Sequence, residues 1–297
     1  MTRRASESAR HNRKCIREID QKTSLLINLT HMITLSALHI YPIKACRGHA
    51  GQEAFVERRG LAHDRRLLII DAQGIAVTQR DNARLALVLP ELDGESLGLS
   101  APGMPVLNLP LTETGPMRSV TVWDDSGIQA VDQGEEVAGW FSTYLKDPVR
   151  LVRMTKNSIR PVSPKYAQRS DDQVSFADGY PILIASRESL DDLNTRLQTP
   201  IPMNRFRPNL VVAGCRPFEE DTWKRIRIGE VEIGLVKPCS RCEVTTIDQA
   251  AAVRGKEPLT TLARFRRLEG SKVMFAMNAI PLNEGRLRVG EPVEILA

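Results

Sequence analysis

Short runs of alternating hydrophobic and polar residues follow one another along most of the chain. Residues 35–40 alternate and stop before Pro42, and the apolar run 66–70 is closed by the turn from Asp71 to Gly74. Residues 75–78 are predicted to form the second arm of a hairpin. Further short runs lie at 85–89, 96–99, 106–109 and 120–123, separated by Asp-Gly, Pro-Gly and Thr-Gly pairs. Many short strands at this spacing are typical of a β barrel or sandwich.

Helical periodicity is limited to a few segments. A core-facing stripe at i, i+3, i+4, i+7 and i+8 predicts one helix, through Val137, Trp140, Phe141, Tyr144 and Leu145. A second helix is predicted after Ser186 as its N-cap, and a third opens at Pro258. The second half of the chain contains predicted strands at 151–153, 181–184, 210–212, 225–228, 231–236, 244–247, 287–289 and 290–296. The pattern therefore predicts a mainly β protein with a few helices (α+β).

Composition excludes several classes of protein. The 297 residues are 42% hydrophobic and 26% charged, which is ordinary for a globular protein. The formal net charge is +5, but no window combines a basic stripe with interleaved aromatic side chains, so we expect no nucleic acid polymer as a partner. The five cysteines, Cys15, Cys46, Cys215, Cys239 and Cys242, are odd in number and irregularly spaced. This favours a reducing environment over a disulfide framework, and a cytoplasmic location is predicted.

The N-terminal region has a different character. Residues 1–22 are rich in Arg, Lys and Ser, and residues 23–43 carry no charge, which raises the possibility of a membrane anchor. Asn28, Thr30 and His31 make this run too polar for a stable span, and no secretory cleavage site follows it. We predict that residues 1–33 are a disordered extension or the product of an upstream start codon, with an organellar presequence as the alternative.

Two thiols lie close together in Pro238-Cys239-Ser240-Arg241-Cys242. The Arg241 guanidinium favours a thiolate, the form that binds metals or attacks. A structural zinc site needs four ligands, and neither Cys215 nor the five histidines are spaced to complete one. A redox dithiol needs a helix N-terminus, whereas residues 244–247 predict a strand. Two inert core cysteines, or one thiolate bound to a metal that arrives on an organic cofactor, remain as alternatives.

Basic residues flank three of the predicted strands, in segments 41–48, 63–66 and 205–209. Arginines that lead into a buried strand are costly unless an anion meets them, and phosphate is their usual partner. No Gly-x-Gly-x-x-Gly or Walker-type loop indicates a nucleotide site. The three segments and the thiol pair together suggest a pocket for a phosphorylated cofactor that carries a metal.

These segments resemble the MOSC-domain proteins with an N-terminal β-barrel domain, the family of the mitochondrial amidoxime reducing component and its bacterial relatives. The resemblance covers about residues 35–297, and the order and spacing of the motifs make it specific. The motifs are Ile40-Tyr41-Pro42-Ile43-Lys44, Asp64-Arg65, Val77-Thr78-Gln79-Arg80, Asp178-Gly179-Tyr180-Pro181, Asn204-Arg205-Phe206-Arg207-Pro208-Asn209, residues 238–246 and Val289-Gly290-Glu291-Pro292-Val293. It implies an N-terminal β-barrel-like domain over 34–150 and a MOSC β-barrel domain over 151–297.

The resemblance also implies a cofactor and a site. The cofactor is molybdenum bound to molybdopterin, and Cys242 is the expected metal ligand and catalytic residue. Lys44, Arg65 and Arg207 fall where the family's basic residues hold the pterin phosphate and ring. The other residues expected to bind the cofactor are Ala45, Gly179, Tyr180, Asn209, Ser240, Arg241 and Asn278. Ala45 stands where some relatives have serine, and Ala276 stands where glycine is expected.

The implied activity is that of a molybdenum-dependent oxidoreductase that reduces small N-hydroxylated compounds, such as amidoximes, hydroxylamines and N-hydroxylated bases. It removes oxygen by two electrons at molybdenum, a detoxification chemistry. Its electrons would come from a separate donor protein, a reductase or a ferredoxin- or cytochrome b5-like protein, and we expect a monomer. The alternative is a module that binds or carries molybdenum cofactor or sulfur without turnover of its own.

Overall fold

A computed structural model describes residues 32–268 and 272–297. The predicted N-terminal extension lies outside these ranges except for residues 32 and 33, and Cys15 lies outside them as well. The prediction of a mainly β protein with few helices is confirmed, since eighteen strands and three α helices occur in the described part of the chain. Within those same ranges, none of the helices combines the length and the apolar character that a membrane span needs.

The strands and helices are numbered in chain order. The strands are β1 Thr34–Ile40, β2 His49–Gly51, β3 Glu53–Glu57, β4 Gly60–Leu61, β5 Leu67–Ile70, β6 Leu89–Asp93, β7 Ser96–Ser100, β8 Leu107–Pro110, β9 Met117–Val122, β10 Asp125–Asp132, β11 Arg150–Arg153, β12 Ile182–Ser186, β13 Leu210–Ala213, β14 Arg225–Ile228, β15 Val231–Ser240, β16 Met274–Pro281, β17 Gly285–Arg288 and β18 Val293–Ile295. The α helices are α1 Glu135–Leu145, α2 Arg187–Thr195 and α3 Leu259–Leu262.

The largest sheet has eight strands in the order β18-β14-β15-β16-β12-β13-β1-β2. Its pairs are antiparallel except for β12 and β13, which run parallel. Alternate side chains of these strands fill one core, in which Leu35, Ile184, Val212 and Ile233 are fully buried. β1 comes from the beginning of the described chain and pairs with β13, and β3 pairs with β17 near its end. β11, Arg150–Arg153, likewise pairs with β5. Strands from both sides of residue 150 therefore share three sheets, and the domain division there stays a prediction.

Three smaller sheets complete the fold, in the orders β5-β11-β10-β9, β17-β3-β4 and β6-β7-β8. Helix α1 packs its predicted stripe against the core beneath β5 and β11, and Trp140 meets Phe141 edge to face at 5.0 Å. Helix α2 is capped as predicted, because Ser186 accepts a hydrogen bond from the Ser189 amide at 3.1 Å.

Two predicted strands are wrong. Residues 85–89 fall largely in a 3₁₀ helix, Ala83–Leu87, and residues 244–247 fall largely in another, Glu243–Thr246. In the second case local hydrogen bonds override the β-branched composition: the Thr245 hydroxyl donates to the Cys242 carbonyl at 2.9 Å, and the Thr246 hydroxyl donates to the Glu243 carbonyl at 2.7 Å. The hairpin arm at 75–78 contains only isolated bridges, and β2–β4, β6, β10 and β16 were not predicted.

Candidate functional site

A cleft of about 800 Å³, including its part open to solvent, lies where both halves of the chain meet. The loop after β1 and the residues before β5 form one side, and the ends of β15 and the starts of β12 and β13 form the other. The cleft brings together every predicted site residue except Ser240, which is exposed beside it. The residues that line it are Lys44, Ala45, Arg65, Thr78, Gln79, Arg80, Trp123, Ala177, Asp178, Gly179, Tyr180, Leu183, Phe206, Arg207, Asn209, Cys239, Arg241, Cys242, Val244 and Asn278.

Several of these residues adopt a left-handed backbone conformation. The φ angles of Ala45, Arg65, Trp123 and Arg207 are 68°, 49°, 56° and 56°. Non-glycine residues are uncommon in this region, and such strain persists where the surrounding structure fixes it. Ala276 in β16 also has a positive φ, 70°, which accounts physically for the glycine expected at that position. The strained positions aim two arginines and an indole into one cleft.

The basic floor of the cleft is built around Tyr41. The guanidinium carbons of Arg65 and Arg207 lie 4.5 Å and 4.3 Å from the centre of its ring. Arg65 donates to Asp64 at 2.6 Å and to the Asn209 side-chain oxygen at 3.2 Å. Asn209 also accepts from the Leu183 amide at 3.2 Å and donates to the His39 carbonyl at 3.3 Å. This amide therefore holds β1, β12 and Arg65 in one arrangement.

In the described part of the chain, the guanidinium of Arg207 has fewer hydrogen-bond partners than it has donors. Its Nη2 atom is buried and has no hydrogen-bond acceptor among the described residues. Burial lowers the pKa of this guanidinium to about 10, against the opposing charge interaction with Tyr41. An unpaired buried donor is costly, and an anion in the cleft would remove that cost.

Lys44 and Asp178 form an ion pair at 2.5 Å within the cleft. Burial lowers the pKa of Lys44, although the carboxylate opposes this shift. Burial acts to raise the pKa of Asp178, but the ammonium of Lys44 and the hydrogen bond from Trp123 Nε1 hold it well below its usual range. The Asp178 side chain is 73% exposed to solvent because it faces the open cleft, although protein atoms form the walls of the cleft around it. It is consequently ionised at neutral pH.

The two thiols differ in their contacts. Arg241 donates from Nη1 to Cys239 Sγ at 3.0 Å and from Nη2 to the Phe206 carbonyl at 2.8 Å, so it contacts the first thiol of the pair and not the adjacent Cys242. Cys242 is half-buried, precedes the 3₁₀ helix Glu243–Thr246, and its Sγ has no hydrogen-bond partner in the part of the chain that the structure describes. Over those residues, no group of three or more His, Cys, Asp or Glu is arranged to hold a metal ion by itself.

The residues present fit a cofactor that brings its own metal and a phosphate. Arg207 Nη2 and Arg241 Nε are buried, have no acceptor within residues 32–268 and 272–297, and are donors that an anion would satisfy. Cys242 offers a single soft ligand on the same cleft, which suits a metal whose other ligands come from an organic group. The particular roles of the predicted site residues stay predictions.

Some lining residues were not identified from the sequence. Asp178 belongs to a motif that was recognised, but its pairing with Lys44 links residues far apart in the chain. Trp123 was predicted only as the end of a strand, and Arg80 only as part of a motif. Gln79 donates to the Ala45 carbonyl at 2.7 Å and to Gln249 at 3.0 Å, and so fixes the loop after β1. None of these contacts has a local sequence signal.

Comparisons with known proteins agree with this architecture. Residues 32–148 match the MOSC N-terminal beta barrel domain, and residues 171–294 match the MOSC domain. The mouse Mitochondrial amidoxime-reducing component 1 is 37% identical over 281 residues, covering 89% of this chain and 82% of the relative. The human component 1 is also 37% identical, over 89% of this chain and 83% of the relative. The bovine Mitochondrial amidoxime reducing component 2 is 39% identical over 88% of this chain and 82% of the relative.

These relatives correct one prediction. Their names place them in mitochondria, which contradicts the cytoplasmic location predicted from cysteine usage. The physical reason is that an odd, irregular set of cysteines reports a reducing environment, and that property does not distinguish one intracellular compartment from another.

Proposed function

The chain belongs to the MOSC-domain family of the amidoxime-reducing components, and on that basis we propose that it is a molybdenum-cofactor-dependent reductase of N-hydroxylated compounds. The observation that carries the proposal is a cleft lined by Arg207 and Arg241, each with one buried guanidinium nitrogen that has no acceptor among the described residues, and by the Cys242 thiol. Amidoximes, hydroxylamines and N-hydroxylated bases are the proposed substrates. The reaction consumes two electrons and two protons and releases the amine or amidine and water.

The protein would bind the cofactor both at its pterin and phosphate and at its metal. Lys44, Arg65 and Arg207 would bind the pterin phosphate and ring, since Arg207 Nη2 is buried without an acceptor in the described chain. Cys242 would be the protein ligand to molybdenum, because its Sγ is not engaged by Arg241. When bound, the cofactor supplies the two-electron redox chemistry that breaks the N–O bond.

The chain's own residues have further tasks in this proposal. The ionised Asp178 accepts hydrogen bonds at neutral pH, so it can orient an N–H of the substrate but is not itself a proton donor. Arg241 ties Cys239 to the Phe206 carbonyl and so keeps the first thiol apart from the ligand position. Electrons would come from a separate donor protein. The names of the relatives make mitochondria the compartment to test for this chain.

The test is the molybdenum and pterin content of the protein purified from a host that makes molybdenum cofactor. Cys242→Ala is compared with wild type and with Cys215→Ala, a half-buried cysteine outside the cleft. We expect near-stoichiometric molybdenum and pterin in wild type and Cys215→Ala, with benzamidoxime reduced by an artificial electron donor. Cys242→Ala should lose this reduction and retain much of the pterin, because the phosphate contacts do not need the thiol.

Two results would contradict the proposal. Zinc in place of molybdenum, or neither metal nor pterin in wild type, would return both thiols to a structural role. A fully loaded protein that turns over no N-hydroxylated substrate would instead support a carrier of molybdenum cofactor or sulfur.

A further inference from the structure

Aromatic side chains from both halves of the chain reach the cleft, and each has cations on its ring. Trp123 lies between β9 and β10, and Tyr180 lies just before β12. Trp123 is not among the residues predicted to bind the cofactor, whereas Tyr180 is, and Lys44 Nζ lies 5.7 Å from the centre of the Trp123 ring. We call Arg80, Trp123, Lys165, Tyr166, Tyr180 and Lys237 the aromatic–cation rim.

Trp123 combines a strained backbone conformation with an exposed side chain, and neither feature stabilises the fold. Its φ is 56°, and the side chain remains 45% exposed, whereas Trp140 and Trp223 are 7% and 2% exposed in the cores. Leaving an indole in water forgoes hydrophobic stabilisation, and the left-handed backbone adds strain. Its Nε1 donates to Asp178 at 3.1 Å, which fixes the ring at the cleft. The Arg80 guanidinium carbon lies 4.2 Å from the ring centre.

Tyr180, which lines the cleft, has a second aromatic ring and two lysines beside it that are not themselves among the lining residues. Tyr180 and Tyr166 meet edge to face at 5.9 Å. Lys237 Nζ lies 4.7 Å from the Tyr166 ring and 5.2 Å from the Tyr180 ring, and Lys165 Nζ lies 5.3 Å from the Tyr166 ring. Burial and the neighbouring Tyr166 raise the pKa of Tyr180 to about 12, so its hydroxyl remains a hydrogen-bond donor at neutral pH.

Within the ranges 32–268 and 272–297, the rim cations have no carboxylate partner. Among the described residues, no carboxylate lies within 4.0 Å of the charged groups of Arg80, Lys165 or Lys237. Elsewhere on the surface arginines are commonly paired, as Arg227 is with Glu294 and Arg286 with Glu53. Flat aromatic faces with unneutralised cations beside them bind a planar group by stacking and a negative group by charge.

From this arrangement we propose that the rim selects planar N-hydroxylated substrates that carry a negatively charged substituent. The planar part stacks against the exposed rings, Asp178 accepts an N–H, and the anionic substituent lies against Lys165, Lys237 or Arg80. The inference rests on the proposed function, because it assigns the substrate of the same cleft. It adds a class that membership of the family does not supply.

The test compares benzamidoxime with 4-carboxybenzamidoxime on the cofactor-loaded enzyme. At low salt we expect kcat/KM to favour the carboxylate by about threefold to tenfold, the size that one or two partly exposed ion pairs supply. The preference should shrink at high salt, because screening weakens exposed charge pairs. In Lys165→Gln/Lys237→Gln the ratio of kcat/KM for the two substrates should fall towards one, because two of the three rim cations are lost. Lys224→Gln, an exposed lysine outside the cleft, is the matched control and should keep the wild-type ratio.

Trp123→Phe provides a readout that does not need turnover. Because the other two tryptophans are buried, quenching of protein fluorescence by 4-carboxybenzamidine, the expected product, should come from Trp123 and disappear in the variant. Tighter binding of this product than of benzamidine would support the proposed role of the rim. If neither substrate were reduced in the same protein, only the proposed reductase function would be refuted. Equal affinities, or equal kcat/KM for the two substrates in wild type, would overturn the inference. Loss of pterin from the double lysine variant would also overturn it, by assigning these cations to the cofactor.

Discussion

Replacement of Arg160 by alanine offers the sharpest test of how this site is held in place. Arg160 is the largest fully buried side chain of the described residues and is 2% exposed. It donates to the Ser175 carbonyl at 2.8 Å, to the Asp178 carbonyl at 2.9 Å and to the Ala177 carbonyl. It also pairs with Asp125 at 2.7 Å, at the start of β10. One guanidinium thus attaches the segment that carries Asp178 and Tyr180 to the hairpin that carries Trp123.

The magnitude follows from the groups that would lose a partner. A buried polar group without a hydrogen bond costs about 1–3 kcal/mol, and breaking a buried ion pair costs about 3–5 kcal/mol. Asp125 is 52% exposed and regains water, so the carbonyls dominate the loss. Some water can enter the space left by the side chain. Three buried carbonyls each lose a hydrogen bond, and this water offsets part of the loss, so we expect Arg160→Ala to lower the free energy of unfolding by about 3–5 kcal/mol.

Urea unfolding monitored by fluorescence measures this change. Arg227→Ala is the matched control, since Arg227 pairs with Glu294 on the surface and should show no measurable change. Arg160→Lys keeps the charge but lacks the planar fork of donors, and should fall between wild type and alanine. A loss for Arg160→Ala as small as that of Arg227→Ala would refute the reasoning. It would mean that the carbonyls find other donors or that water replaces the guanidinium at no cost.

Three further predictions follow from local features. Because the folded protein lowers the pKa of Asp178, this group stabilises the fold above the usual carboxyl pKa of about 4, and the contribution is lost as pH falls below that value. Asp178→Asn should therefore make the melting temperature fall less steeply with decreasing pH in the acid range, and an unchanged slope would contradict this. Phe206→Ala, which removes a buried ring stacked 3.8 Å from Phe275, should cost about 3–5 kcal/mol in urea unfolding, and a cost below about 1 kcal/mol would contradict the packing. Gly139→Ala in α1 should stabilise the protein by about 1 kcal/mol, whereas Gly60→Ala should destabilise it, because φ of Gly60 is 100° and the added Cβ would lie 2.4 Å from the Pro181 carbonyl oxygen. Thermal unfolding should show a raised melting temperature for Gly139→Ala and a lowered one for Gly60→Ala.

Much of the fold was predictable because its signals are local. The stripe of α1, the cap at Ser186 and strands such as β1, β5 and β13 depend on residues a few positions apart, and the structure confirms them, whereas the long strands β10 and β16 were not predicted. The failures at 85–89 and 244–247 are also local in cause. There, threonine hydroxyls and an asparagine cap satisfy a turn that β-branched and aliphatic composition does not reveal.

The pairing of charges was not predictable in the same way. The sequence places Arg241 beside Cys242, yet the guanidinium contacts Cys239, because the chain turns after β15 and the Phe206 carbonyl accepts its other donor. Lys44 meets Asp178 across 134 positions, and Arg160 meets Asp125 across 35. A long charged side chain pairs with groups that folding brings close to it, and the hydrophobic periodicity of the sequence does not predict which groups those are.

The sequence by itself determined a mainly β chain, three basic segments at strand ends and a thiol pair, because strand pattern, turn chemistry and residue type are written locally. Tertiary structure alone decided that these segments share one cleft and that Trp123 lies exposed beside Asp178. It also decided that Arg207 has a buried donor without an acceptor among the residues that the structure describes. The reason is physical. Burial, which sets the free energy of an unpaired donor and the pKa of a charged group, exists only when distant segments have packed together.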